Sequence, residues 1–168
     1  MKKLIIITLL SAIAFIVNAQ DAETFFKNGE SKSQNEDYKG AIEDYTKAIK
    51  ADPEMMNAYL QRAFAYILLK EYNSAISDYT KVLEIENNHL WSYMSRGSAY
   101  NKIEEYQKGL ADFNKAISID PENQEAYNNR GWSKKFLGDV DGACADWKKS
   151  KKLGNAEAKI IYKNNHCK

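Results

Sequence analysis

The sequence predicts an all-α solenoid, four copies of one helix-turn-helix hairpin closed by a C-terminal helix, and three observations predict it. Columns recur every 34 residues: Ala41, Ala75, Gly109 and Ala143; Tyr38, Tyr72, Tyr106 and Val140; Tyr45, Tyr79, Phe113 and Trp147; Phe25, Tyr59, Tyr93 and Tyr127. Small residues keep the same interval, with Gly29, Ala63, Gly97 and Gly131 in one column and Ala48, Val82, Ala116 and Ser150 in another. Within each copy the apolar positions follow helical rather than strand spacing. A period sustained over so many columns marks units that bury their apolar faces only by stacking on neighbours. The copies run over 22–55, 56–89, 90–123 and 124–157, with a cap over 158–168.

Residues 1–19 precede the first copy. Lys2 and Lys3 open the chain, an apolar run of 14 residues extends from Leu4 to Val17, and the small residues Val17 and Ala19 stand before the polar Gln20. This is the three-part pattern of a secretory signal peptide. A retained anchor is the alternative, but the run is shorter than the ~18 apolar residues of a spanning helix. The reading is an exported protein, periplasmic or secreted after cleavage. No cysteine stands before the cleavage point to carry a lipid. Removing Lys2 and Lys3 from the 24 basic residues leaves 22 against 23 acidic ones, a net charge of −1. That balance offers no electrostatic footing for nucleic acid or anionic lipid. Lys148, Lys149, Lys151 and Lys152 form a local basic cluster that suits a solvated helix C-terminus.

The third copy serves as the model unit. Trp91, Tyr93, Met94, Gly97 and Tyr100 give a first amphipathic helix; the second begins near Tyr106, with Leu110, Phe113, Ala116 and Ile117 on its buried face. Asp120-Pro121 ends it, because proline disfavours a helical conformation at the residue before it. Pro53 stands at the equivalent place in the first copy, Asn87 and Asn155 in the second and fourth. The small columns let the two helices approach, Gly97 facing Gly109 and the neighbourhood of Ala111, while large aromatics fill the space between successive hairpins. In the first copy Asn28 and Lys32 break columns that are otherwise arginine and tyrosine, as suits an exposed terminal unit.

Arg62, Arg96 and Arg130 share a column on first helices; Asp44, Asp78, Asp112 and Asp146 share one on second helices. Salt bridges between the helices are the expectation, with a carboxylate-binding arginine row as the functional alternative. Cys144 and Cys167 read as a disulfide in an exported protein. Two free thiols are a second possibility, and a metal site with His166 a third, though three ligands without the usual spacing make a poor one.

The segments "YMSRGSAYNKIEEYQKGLADFNKAISIDP" (Tyr93 to Pro121) and "AYLQRAFAYILLKEYNSAISDYTKVLEIE" (Ala58 to Glu86) resemble the tetratricopeptide repeat family, a helix-turn-helix of 34 residues, and the likeness covers about Ala22 to Glu157. The closing segment, Leu137 to Lys168, is similar to the ends of exported tetratricopeptide proteins of Bacteroidota-like bacteria. That likeness implies a capping helix from about Ala156 to Asn164, with Ile160 and Ile161 inward, lysines outward, and Cys167 within reach of Cys144.

The family resemblance implies a scaffold that holds a peptide or protein segment in a concave groove lined by first helices. On this chain the groove pattern falls on Phe26, Leu60, Phe64, Ile67, Trp91, Met94, Ser98, Asn101, Asn128, Trp132 and Lys135, with Trp91 and Trp132 the strongest anchors. Some members clamp C-terminal carboxylates with lysines and asparagines. The corresponding places here carry Phe26, Glu30, Gln61, Trp91 and Ser95, so an apolar or extended ligand is expected instead. No reactive constellation accompanies His89 or His166, and phosphate loops and metal motifs are missing. The expectation is a non-enzyme without cofactor, metal or small-molecule substrate. A thiol function of Cys144 and Cys167 and a structural part in an envelope assembly, through the convex face or end cap, are the rival readings.

Overall fold

A computed structural model of the chain describes residues 20–165 and Cys167; residues 1–19, where the signal peptide is expected, and His166 and Lys168 lie outside the described residues. Helix α1 spans 20–34, followed by α2 (Tyr38–Ala51), α3 (Met56–Leu68), α4 (Tyr72–Ile85), α5 (Leu90–Lys102), α6 (Tyr106–Ile119), α7 (Gln124–Phe136), α8 (Val140–Lys152) and α9 (Ala156–Asn164). No strand occurs among the described residues, and the fold is an all-α repeat of the solenoid class. The chain forms two compact units that divide between Glu71 and Tyr72. The first holds α1–α3 and the second α4–α9.

Each hairpin turn has one backbone solution. Glu36, Lys70, Glu104 and Gly138, again 34 apart, all adopt positive φ, at 61°, 61°, 64° and 87°. After each of them an N–H bonds back five residues, Asp37 to Lys32, Glu71 to Tyr66, Glu105 to Tyr100 and Asp139 to Lys134, at 2.8–2.9 Å. This is the Schellman closure, which satisfies carbonyls that the helix end would otherwise leave orphaned. The residue that donates the bond lies one place before the next helix. Asp37 and Asp139 use that position to cap it, accepting from Gly40 N and Gly142 N.

Second helices end differently. Asp52 and Asp120 leave the helix in extended conformation before proline, and each carboxylate accepts the N–H two residues on, from Glu54 and Glu122, at 3.0 Å. Asn123 then caps α7 through Ala126 N, and His89 caps α5 by accepting Ser92 N at 3.2 Å. After α8 the exit changes. Gly154 takes φ +105° and Asn155 caps α9 at once, so α9 begins two residues ahead of the frame set by Met56, Leu90 and Gln124.

The small column receives the aromatic column. A Cβ on Gly29 would collide with the Tyr45 ring, one on Gly131 with the Trp147 indole, and one on Gly97 would stand 3.0 Å from Phe113. The aromatics therefore fill a notch in their own hairpin first, and do not serve the space between hairpins alone. Phe113 then clusters with Met94, Ala116 and, from the next hairpin, Ala126. Gly109 approaches its partner helix closely, its would-be Cβ 3.0 Å from the Gly97 carbonyl oxygen, whereas Ala111 faces solvent. On α6 the fully enclosed residues are Gly109, Asp112, Phe113 and Ala116; Leu110 and Ile117 are half-buried.

Two of the charged columns join within hairpins. Arg96 grips Asp112 with Nε and Nη2 at 2.8 and 2.7 Å, and Arg130 grips Asp146 at 2.8 and 2.6 Å, both bidentate and mostly enclosed. Lys134 adds a second cation 2.9 Å from Asp146. In the first hairpin Asn28 supplies no cation, and Asp44 is held instead by Lys32 at 2.6 Å and Lys47 at 2.7 Å. Arg62 donates to Thr46 Oγ1 at 2.9 Å within its own unit, and Asp78 is buried in the other.

The cap corrects one expectation. On α9 Ala158 and Ile161 are buried and Tyr162 is half-buried, whereas Ile160 is 60 % exposed. Adjacent helical positions point about 100° apart, and the face set by 158, 161 and 162 leaves 160 outside. Ile161 packs with Ala143 and Trp147, beside Trp132, Tyr162 and Cys167. Cys144 and Cys167 are joined as a disulfide with Cα atoms 5.4 Å apart, fastening the C-terminal tail to α8.

Candidate functional site

First helices α5 and α7 lie side by side in the second unit and make up its candidate binding face. Their residues follow the repeat columns, and the columns behave differently. Phe26, Leu60, Met94 and Asn128 form one column, and it is tucked in. Met94 is 5 % and Asn128 4 % exposed, while Leu60 and Phe26 are half-buried, Phe26 against the Tyr45 ring at 5.7 Å. Met94 and Asn128 are therefore not open groove side chains. Met94 is consumed by the Phe113 cluster, and Asn128 is covered where α7 meets the start of α9. In the first unit Phe64 is 50 % exposed and Ile67 half-buried.

The next columns do form a surface. Ser98, Asn101 and Lys102 of α5, Glu104 and Tyr106 beyond it, and Asn129, Trp132 and Phe136 of α7 line a depression of about 400 Å³. Its wall is an aromatic stack: Tyr106 on Phe136 at 4.7 Å with planes 15° apart, and Phe136 on Trp132 at 6.0 Å. Trp132 is braced from beneath by Trp147, edge-on at 5.2 Å. Ser133 donates to Asn101 Oδ1 at 3.0 Å, and Lys135 to Asn165 Oδ1 at 2.6 Å with its ammonium 5.1 Å from the Trp132 ring. These bonds hold the polar residues in place. Trp91 lies at the head of α5, 64 % exposed.

Sequence reasoning missed Phe136, Tyr106 and Asn129. Phe136 carried a signal, because it stands 34 residues after Lys102 in a column where the repeat demands nothing apolar, yet it is 55 % exposed. Tyr106 was read only as a structural column.

A second depression, about 350 Å³, opens at the head of α7 against the α8–α9 turn, lined by oxygen-bearing side chains that include Gln124, Glu125, Asn128, Asn129, Asn155 and Glu157. Asn128 Nδ2 donates to Glu157 Oε2 at 3.2 Å, and its backbone carbonyl accepts Trp147 Nε1 at 3.2 Å. The Gln124 carbonyl accepts Ser150 Oγ at 2.7 Å. A third depression, about 500 Å³, flanks the disulfide along α8 and Tyr162. No group of three or more histidine, cysteine, aspartate or glutamate residues able to hold a metal occurs among the described residues, nor does a helix long and apolar enough to cross a membrane.

Models of the tetratricopeptide repeat match residues 22–55, 57–89, 91–123 and 113–145. No match was found among curated proteins. Among solved structures, the crystal structure of MamA is 25 % identical with TM-score 0.76, covering 83 % of this chain and 81 % of that one. The first tetratricopeptide domain of Spaghetti (RPAP3), bound to the HSP90 peptide SRMEEVD, is 27 % identical with TM-score 0.67, over 71 % of this chain and 95 % of that one. The Arabidopsis OM64 tetratricopeptide domain is 27 % identical with TM-score 0.65, over 70 % and 98 %.

Proposed function

The chain belongs to the tetratricopeptide repeat family, and from that membership we propose that it is a non-catalytic scaffold that holds an extended segment of another protein on the α5–α7 face. One observation carries this reading: a stack of three aromatic rings, one of them more than half exposed, beside a depression walled by Ser98, Asn101 and Asn129. Exposed rings contribute most of the binding energy where segments dock, because they bury a large area with few rotatable bonds. The asparagines supply the paired donor and acceptor that an extended backbone needs. Among solved relatives, a tetratricopeptide domain is bound to a peptide, which supports the mode. It does not carry over that peptide's chemistry.

The proposal includes export. Residues 1–19 have the form of a signal peptide, and a disulfide suits an oxidising compartment. A role in an envelope assembly is the second reading, favoured by the exposed Ile160 on α9. Pull-down from an envelope extract with wild type, Trp91→Ala/Phe136→Ala and Ile160→Glu separates them. The groove reading expects partners to be lost from the aromatic double variant and kept by Ile160→Glu; the reverse pattern would move the binding surface to the cap.

A further inference from the structure

We infer that the oxygen-lined depression at the head of α7 anchors a cationic side chain, a lysine or arginine, of the segment held on the aromatic face. The inference rests on the groove reading and names the charge of the partner. Its starting point is the amide of Asn128, 4 % exposed and lining the depression. Glu157 Oε2 must accept from whatever faces it at 3.2 Å, so the amide nitrogen is turned there and Oδ1 is turned away. That Oδ1 is buried and has no hydrogen-bond partner, and neither has Gln124 Oε1 in the same depression. A buried acceptor left unmade costs free energy that a matching donor restores.

The charges agree. Glu125 and Glu157 line the depression, and no lysine, arginine or histidine does. Two residues with unpartnered amide oxygens and two carboxylates line the depression, and its only side-chain donors are the neutral amides of Gln124 and the asparagines. Guanidinium and ammonium groups present only donors, and guanidinium fans five of them in a plane. An acidic segment, by contrast, meets two like charges. The volume, about 350 Å³, also admits a side-chain head rather than a bare ion. Asn129 lines both this depression and the aromatic one. Their centres lie roughly five residues apart along α7, about 8 Å at helical rise, which an extended segment spans in two to three residues.

The test pans a displayed library of random dodecapeptides against the full chain and measures resynthesised binders by fluorescence anisotropy. The expected binders carry lysine or arginine two or three residues from an aromatic, aliphatic or proline residue. Replacing that arginine by citrulline, its neutral isostere, should weaken binding about ten- to a hundredfold, the range of a charge-assisted hydrogen bond. Glu125→Gln/Glu157→Gln should lose the same factor for the arginine peptide and little for the citrulline one. Should Glu157→Gln disturb the fold, Glu125→Lys alone, at an exposed position, should still reject basic binders. Phe136→Ala should weaken both peptides equally. Binders without basic enrichment, or arginine binding unchanged within twofold in the glutamate variants, overturn the anchor; if Phe136→Ala still weakens them, the groove reading survives. A library that yields no binder overturns both.

Discussion

At the scale of single residues, the small column of Gly29, Gly97 and Gly131 is set by rings rather than by helix preference. Gly131 occupies a helix interior, where glycine costs about 1 kcal/mol relative to alanine. Gly131→Ala recovers that propensity but drives a methyl into the indole of Trp147, which is fully buried and bonded through Nε1 to the Asn128 carbonyl. The collision should win, with a net loss of about 1–3 kcal/mol. Gly97→Ala meets Phe113 at 3.0 Å and should cost less. Denaturant unfolding of the two variants measures the difference, and equal stabilities would refute the ring-in-notch account. Asp44 gives a second residue-scale prediction. Burial pushes its carboxyl up, but hydrogen bonds from Lys32 and Lys47 outweigh that and hold it below the usual 3.8. A depressed folded pKa contributes stability above the unfolded value of about 3.9, and that contribution disappears as pH falls through the folded one. Asp44→Asn should therefore flatten the acid limb of stability against pH below about 4, read from thermal midpoints in a pH series. An unchanged slope would show that the two lysines are not coupled to folding.

At the scale of elements, four hairpin turns demand the same left-handed residue and only the fourth has a glycine there. The three others carry glutamate or lysine at a conformation that costs an L-residue roughly 1–2 kcal/mol. Glu36→Gly should therefore stabilise by about 0.5–1 kcal/mol, the relief less the entropy glycine gains when unfolded. Gly138→Ala should destabilise by about 1 kcal/mol, with no steric contribution, since nothing lies within 4 Å of the new methyl. Unfolding midpoints of this pair test the turn independently of packing. The turns also show where sequence was mute. The 34-residue period made the helices legible, because each column repeats one packing environment. Non-glycine residues at positive φ leave no compositional trace at 36, 70 and 104. The cap was half legible. Asn155 and Gly154 are a start and a stop signal, but the frame shift they produce rotates α9, and the side on which Ile160 emerges depends on that rotation.

At the scale of the whole molecule, the candidate site was legible in sequence as a set of helices and illegible as chemistry. The family resemblance pointed to first helices as the candidate binding face, and the repeat columns carried that pattern onto α5 and α7 as onto the others. That pattern placed Met94 and Asn128 on the surface, because a column cannot register how the neighbouring element covers it. The bond from Asn128 to Glu157 spans 29 residues, short of one period, so periodicity has no means of pairing them. The same long-range closure bears on where the protein works. The Cys144–Cys167 bridge closes a separation of 23 residues, and on the chain-entropy account such a loop contributes about 3 kcal/mol. It holds α9 over Trp147 and Trp132, and so braces the aromatic wall from behind. That contribution exists only where the bridge persists, in an oxidising compartment. Export and an intact binding face are therefore one prediction. Intact mass of the protein from its native host, with and without alkylation, should give a chain beginning at Gln20 that takes up no alkylating agent until reduced. A chain retaining Met1 with two alkylated thiols would place it in a reducing environment, and the cap would then have to hold the aromatic wall without its covalent tie.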